Sequence, residues 1–477
     1  MEETDVCYST LAAAALQQGI PNGCTAKSLP PSQRQQIGLQ ALAGQQTITG
    51  LAEEFDVSRK FVARQSAIAG LVLICHSSLR GVVEFLRDLF DCELSLGTVF
   101  NTVAAAVGPA RQRNEAQDLS RVQVGAHDEI FQAGQPVLVG VDALSSYCYL
   151  LSQEDQRDAE TWGVRLLELQ DHGFAPDFVV ADAGTALRAA QTEVMPQIPC
   201  RSDIFHALME VTAVVTKLEQ QAYEAIATCT QLQAQHARAK HRCCSDEHSL
   251  AMKLGKAAKK LEPALALADD VALLGRWLHY DVLGLAGPTH AERLEMFDFI
   301  CAELQARVPQ ASKHIGHLVA YLQRQRRDLL AFAVPLDQDF AHLASAFAIP
   351  ETLVRELFAV RTMPADSARR WRRDAPLRRL LGERYFPLSQ ALEGVRRRTV
   401  RASSLVENLN SRLRTYFFLR RHLGNNYLAL LQFFLNHRRF MRSDVPARVG
   451  KSPAELLTGQ SHPHWLELLG YQRFERN

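Results

Sequence analysis

At 477 residues, 47% hydrophobic and 22% charged, the chain has the composition of an ordinary globular protein, long enough for about two to four domains. No apolar run reaches the length of a membrane span, and the N-terminal MEETDVCYST lacks the basic and apolar blocks of a signal peptide. Ten cysteines without regular spacing read as reduced thiols rather than a disulfide framework, so a cytoplasmic protein with no membrane partner is expected.

The net charge of +1 conceals a strong segregation. Between Arg361 and Lys451 there are 21 Lys and Arg against 6 Asp and Glu, a net of +15. The remainder holds 32 basic and 46 acidic residues, a net of −14. A basic block of that size inside an acidic protein points to a polyanion, most simply nucleic acid; a solvated helical surface is the alternative.

In chain order, residues 1–30 are polar and broken by Pro21, Gly23 and Pro30, a poorly ordered lead-in. Over TITGLAEEFDVSRKFVARQ, Thr49 caps one short helix, Asp56-Val57-Ser58 makes a tight turn, and Ser58 caps a second helix exposing Arg59, Lys60 and Arg64. This reads as a helix-turn-helix, with a plain helical hairpin as the alternative. Ser78–Phe90 and Ser95–Val107 form a second helical pair, and residues 31–110 together make a helical DNA-binding region. Arg111–Arg121 reads as a polar linker.

Val122–Phe131 is rich in strand formers, Ala133-Gly134-Gln135-Pro136 is a turn, and Val137–Val141 is an unbroken apolar run ending at Asp142. Ser145–Leu151 is a third strand. Such a run suits a strand buried on both faces, where a carboxylate is costly unless something pairs with it. Asp128 is therefore either a satisfied structural acid or a metal holder. Glu129 falls on the opposite face of that strand. A helix around Thr161–His172, a strand Phe178–Ala181 ending at Asp182, a helix Thr185–Met195 and a strand leading to His206 complete a mixed α/β sheet covered by helices. Residues 207–398 are helical in pattern, with breaks near Gly287, Pro309, Pro335, Pro364 and Pro387. Two further helices follow, joined at Gly424-Asn425-Asn426, and then a short helix capped by Ser452 with Pro453 at its first position.

Three acids stand out by context: Asp128 inside a strand, Asp182 ending another, and Glu407 on a basic helix. Two divalent ions about 4 Å apart can cut a phosphodiester without a covalent protein intermediate, and hard cations such as Mg²⁺ want carboxylate oxygens. No nucleophile motif or phosphate-cradling Gly-rich loop competes with them.

The stretch from Asp128 through VLVGVD to Ser145, then FVVADAGTAL, then SLVENLNSRLR, resembles the three signatures of DDE transposases of bacterial insertion sequences, relatives of retroviral integrases. FLNHRRF followed by KSPAELLTG resembles the ending of such transposases. The resemblance implies a ribonuclease H-like catalytic core with a mixed five-stranded sheet over 120–206, completed by 399–445 and followed by a tail over 446–477. A large all-α insertion over 207–398 accounts for the 225 positions between Asp182 and Glu407, where integrases have a few dozen. It further implies that Asp128, Asp182 and Glu407 bind two Mg²⁺, with Mn²⁺ as substitute, and that Asp142 and His206 are active-site neighbours. Asp142 as the true first acid, and His206 as a core or cap histidine, stand as alternatives.

The expected partners are double-stranded DNA, as terminal inverted repeats and as target, and further copies of the chain in a dimer or larger assembly. Arg59, Lys60 and Arg64 would read the repeats. Arg396, Arg397, Arg398, Arg401, Arg412, Arg414, Arg420 and Arg421 would hold phosphates near the catalytic acids. A non-catalytic, domesticated DNA-binding protein and a plain ribonuclease H-like nuclease are the competing readings. Cys229, His236, His241, Cys243, Cys244 and His248 form a loose cluster with no ordinary zinc spacing. Trp277 and Trp371 are open to either helix packing or stacking on a flipped base.

Overall fold

The hairpin that opens the sheet follows from its turn. Ala133 and Gly134 both take positive φ (50° and 87°), which places a two-residue turn between β1 (Val124–Gln132) and β2 (Gln135–Asp142), paired in antiparallel from Gln132↔Gln135 to Gly125↔Asp142. The turn is thus shorter than the four residues expected, and Pro136 is already in β2. The computed structural model describes residues 67–90, 93–182, 184–242, 246–401, 404–419 and 424–469. The lead-in expected over 1–30, the helix-turn-helix expected around Arg59, Lys60 and Arg64, and Arg420 and Arg421 lie outside them.

Before the hairpin come α1 (Leu79–Phe90), α2 (Leu96–Ala105, capped by the Ser95 side chain) and α3 (Val107–Glu115). After it come β3 (Cys148–Gln153), α4 (Ala159–Asp171), β4 (Phe178–Ala181), α5 (Thr185–Val194) and β5 (Cys200–Ser202). The helical run holds α6 (Ile204–His241), α7 (Glu247–Trp277), a π-helical turn Leu278–Val282, α8 (His290–Arg307), α9 (Ser312–Leu330), α10 (Ala333–Phe347), α11 (Glu351–Thr362), α12 (Ala368–Leu381) and α13 (Tyr385–Arg398). The chain ends with α14 (Ser404–Leu419), α15 (Gly424–His437), α16 (Pro453–Thr458) and α17 (Trp465–Leu468). The strands form one mixed five-stranded sheet in the order β3-β2-β1-β4-β5. The protein is of mixed α/β class.

The chain divides into two units. One takes the described residues up to Val179, Gly184–Pro199 and those from residue 404 onward; the other takes 180–182 and 200–401. In the first, Ala126, Ile130, Val139 and Val141 of the hairpin share a hydrophobic core with Val406, Leu409 and Leu413 of α14 and with Leu428, Leu431 and Phe434 of α15. Ile68, Val72, Val82, Val99 and Ala110 belong to the same core, so the N-terminal helices that are described pack as part of this unit. The linker expected over Arg111–Arg121 is in part α3. Its apolar content is low, and tertiary bonds hold it instead: Asn114 Nδ2 donates to the Ala429 carbonyl (2.8 Å), Arg111 to Asn426 Oδ1 (2.6 Å) and Arg113 to the Leu468 carbonyl (3.0 Å).

Edge strand β3 is closed by helix side chains. Asn436 accepts from the Cys148 N–H (2.7 Å) and donates to the Cys148 carbonyl (2.8 Å); Asn425 does the same to Gln153 (2.7 and 3.0 Å). Eleven residues of helix rise about 16 Å and five residues of strand about the same, so the two amides match the strand's spacing. A row of backbone groups that would invite another strand is thereby partly occupied. At the inner side of β3, a Cβ on Gly140 would stand 2.3 Å from the Tyr149 ring, so only glycine permits the bulge between β2 and β3.

In the second unit, α6 to α13 enclose one core running from Ile204 to Val395. Pro335 and Pro387 sit in the first turns of α10 and α13, where a missing N–H costs nothing, and Pro263 and Pro376 lie inside helices. The prolines therefore break fewer helices than their positions suggest. Arg293 is buried, and its guanidinium donates to the carbonyls of Val282, Gly284 (2.7 Å) and Pro288 (2.9 Å), holding the chain after the π-helical turn.

Replacing Asn436 by Leu leaves the Cys148 N–H without a partner inside the core. The expected loss is about 2–3 kcal/mol in urea unfolding, against under about 1 kcal/mol for Asn425→Leu at the exposed end of α15. Equal losses at the two positions would refute the clip as a burial-dependent device.

Candidate active site

Alternation along β1 sends its polar side chains to opposite faces. Asp128 lies on the face that α14 covers: Asn410 Nδ2 donates to its Oδ2 at 2.6 Å, and the Glu129 N–H donates to Oδ1 at 2.8 Å. Both Asp128 and Asn410 are buried. Asn410 stands one helical turn after Glu407 in α14, so the bond brings two stretches 282 positions apart within touching distance. Glu407 itself is half-buried in the first turn of α14. Glu129 faces the other way, as alternation predicts, accepting from Trp162 Nε1 (2.8 Å) and Arg157 (3.2 Å).

Asp142 has a different use. Its Oδ2 accepts from the Ser145 N–H (2.7 Å) and hydroxyl (2.5 Å), which closes the turn from β2 into β3. It is a satisfied structural acid, and its seat at the end of β2 comes from this turn.

In the second unit, Asp182 directly follows β4. The Asp203 N–H donates to the Ala181 carbonyl (2.9 Å), which holds the start of α6 beside the end of β4. Asp203 is buried and caps α6 by accepting from the Phe205 N–H (2.7 Å), while His206 Nδ1 lies 2.9 Å from Asp203 Oδ2. An ionised carboxylate only accepts, so Nδ1 is the donor and the ring orientation of His206 is set by Asp203.

The basic block divides by partner. Arg396 and Arg397 both pair with Glu393 (2.7 and 3.0 Å), and the two guanidinium groups hold that carboxyl down to about 2; Arg398 pairs with Asp339 (2.6 Å). Arg401 donates to the Leu283 carbonyl and packs over Phe332 at 5.2 Å; burial lowers its pKa to about 10, so it stays cationic at neutral pH. Burial also lowers that of Arg412, which is half-buried on α14, and Arg414 is exposed there. The charge count alone did not separate these groups.

Among the described residues, no cluster of three or more His, Cys, Asp or Glu is gathered as a metal cage. Cys229 is buried in a helix seam and His236 is half-buried. Trp277 is half-exposed beside Phe299 (centroids 6.3 Å apart), and Trp371 is exposed. No helix among the described residues is long and apolar enough to cross a membrane. Asn410 lies in the SLVENLNSRLR stretch beside Glu407, where its pattern on the helix assigns it no role. An amide at i+3 from Glu407 was the available signal. Compared with known proteins, the chain matches no family model, and no curated protein matches it.

His127, next to Asp128, is buried among Tyr149, Trp162 and Phe174 with no hydrogen-bond partner on either ring nitrogen. Burial pushes its pKa from 6.5 down to about 3. The unfolded chain takes up the proton near pH 6.5 and the folded chain only near 3, so this stability is complete above pH 6.5 and lost as pH falls toward 3. The slope is about 1.4 kcal/mol per pH unit, roughly 2 kcal/mol by pH 5. His437, pushed by burial to about 4, adds a similar slope over its own window. His127→Phe is expected to remove about half of the loss in unfolding free energy between pH 7 and pH 5. An unchanged acid limb would show that His127 is not buried neutral.

Proposed function

We propose that this protein is a DDE-type DNA transposase with a ribonuclease H-like core, which cleaves DNA at the ends of an element and joins the freed 3′-hydroxyls to target DNA. The observation that carries the reading is the buried Asp128 in the middle of β1, hydrogen-bonded from the helix that bears Glu407. A carboxylate in that position costs desolvation that an apolar residue would not, which supports a role beyond packing.

Asp128, Asp182 and Glu407 are the acids that would hold two Mg²⁺. The donor set suits them: carboxylate oxygens are the ligands of a hard cation that keeps several of its waters, and a closed protein cage is not required. When bound, the ions would supply an activated water or 3′-hydroxyl and charge compensation at the leaving oxygen.

The chain's own residues do the rest. Asn410 and the Glu129 N–H hold the two oxygens of Asp128 in a fixed orientation before any ligand arrives, which cuts the ordering cost of binding. Asp203 orients His206 in the same way, leaving the second ring nitrogen to face outward from a fixed ring. Arg401, Arg412 and Arg414 provide positive charge for backbone phosphates. Arg396, Arg397 and Arg398 would have to exchange carboxylates for phosphates, a small cost since exposed ion pairs contribute little. Terminal repeats and target duplex are the DNA partners under this reading, in a dimer or larger assembly.

The test is strand cleavage and joining with terminal-repeat duplex in Mg²⁺ or Mn²⁺. Glu407→Gln is expected to lower both by at least about 100-fold with DNA affinity retained. Asn410→Leu is expected to reduce the rate by about ten-fold or more through a loosened Asp128, again with affinity kept. DNA binding with no cleavage by the wild-type chain, indifferent to Glu407→Gln, would sink the catalytic reading. Cleavage without joining would favour a nuclease.

A further inference from the structure

The second unit carries a helical arm that takes no part in its core. Core residues of α6 end at Ala222 and those of α7 begin at Leu267. Between them α6 runs on for about 30 Å, at 1.5 Å per residue, and α7 returns beside it. Over this distal half the only α6 side chains withdrawn from solvent are Ala222, Ala225, Cys229, Leu232, His236 and Ala239, spaced alternately by 3 and 4. In α7 the matching positions are Glu247, Leu250, Leu254, Ala257, Leu261 and Ala264, with the same alternation. This is the seam of an antiparallel two-stranded coiled coil, one that the sequence pattern had merged into a general helical block. Its α6 side is built largely of small residues and buries little apolar area, so the arm is a poor investment in stability.

Charge is sorted along the arm. Residues 204–230 and 261–277, which lie nearer the core, hold six acidic residues and two basic ones. Residues 231–260, the distal part, hold seven Lys and Arg and two acidic residues. On α7, Lys253, Lys256, Lys259 and Lys260 are all exposed and fall within about 120° of the helix circumference at 100° per residue. Arg238 and Lys240 are exposed near the end of α6. None of these four lysines forms an ion pair with a described residue, unlike Arg396, Arg397 and Arg398, which are neutralised by Glu393 and Asp339.

We propose that the lysine face of this coiled-coil arm docks on the phosphate backbone of double-stranded DNA. A row of ammonium groups about 10 Å long meets a polymer with one negative charge per about 1.7 Å of axis. Lysine is a hydrated point charge on a flexible stem, suited to sequence-independent phosphate contact rather than base readout. The arm therefore sets affinity and path of the duplex and contributes no sequence preference. The proposal rests on the reading of the protein as a DNA-processing enzyme, to which it adds a contact surface remote in sequence from the catalytic acids.

The test is the salt dependence of binding of the full chain to a terminal-repeat duplex. Each phosphate contact contributes about 0.9 to the slope of log K against log salt, so K253Q/K256Q/K260Q is expected to flatten the slope by about 2.7. Each single Lys→Gln change is expected to flatten it by about 0.9, which keeps the test valid if the triple variant folds poorly. The ratio of affinities for repeat and unrelated duplex is expected to stay unchanged. A slope unchanged in the variants, with wild-type binding intact, would overturn the arm proposal alone. Loss of a dimer on sedimentation with the slope unchanged would overturn it in favour of a contact between copies. No binding of any duplex by the wild-type chain would remove the arm proposal and the functional reading together.

Discussion

A carboxylate in the middle of a β-strand is tolerated only where a donor is brought to it, and in this protein the donor comes from the far end of the chain. Asn410 reaches Asp128 at 2.6 Å, and both groups are buried. The bond links β1 to α14 at one point, and the apolar contacts of Val406, Leu409 and Leu413 with the sheet hold the helix there along its length. Period 2 in the strand and period 3.6 in the helix make the arrangement possible. Ala126, Asp128 and Ile130 share a face, and Val406, Leu409, Asn410 and Leu413 share a stripe. Shifting β1 by one residue would send Asp128 against the aromatic face and His127 against α14, and shifting α14 by one would turn Asn410 away from Asp128. Register and site geometry are therefore one constraint in the first unit.

The opposite face of the same strand shows how the two acids at 128 and 129 come to differ. Glu129 is matched by Trp162 and Arg157, a neutral and a charged donor, and so is used up structurally. His127 sits in an aromatic surround that keeps it neutral. Asp142 is likewise consumed, by Ser145. Each neighbouring acid in the hairpin thus has a local partner of its own. Edge protection follows the same logic with amides, since Asn425 and Asn436 spend both donor and acceptor on β3.

Local signals in the sequence carried a good deal of this. The strand runs ending at Asp142 and Asp182, the Ser452 cap, and the opposite facing of Glu129 are all properties of a few adjacent residues, and they match the structure. What was not legible depends on distant partners. Glycine and proline near the hairpin suggested a longer turn, because the two-residue geometry depends on Ala133 adopting positive φ, which alanine seldom does. The linker reading of Arg111–Arg121 failed in part because α3 is held by Asn426, Ala429 and Leu468, more than 300 positions away. Asn410 looked like one more polar residue on a helix. Its meaning is a tertiary hydrogen bond, and no periodicity encodes that.

Charge is where sequence and structure diverge most instructively. A net of +15 between Arg361 and Lys451 appears as a single basic block, yet Arg396, Arg397, Arg398 and Arg439 are matched to Glu393, Asp339 and Glu455. A paired guanidinium offers a phosphate only the difference between two carboxylate-like partners, whereas an unpaired ammonium offers its full counterion release. Counting charge along a chain therefore overstates the electrostatic pull of arginine-rich helices that carry their own acids and understates that of short, unpaired lysine rows. The lysines of α7 form such a row, on an arm whose seam is too slight to account for its length.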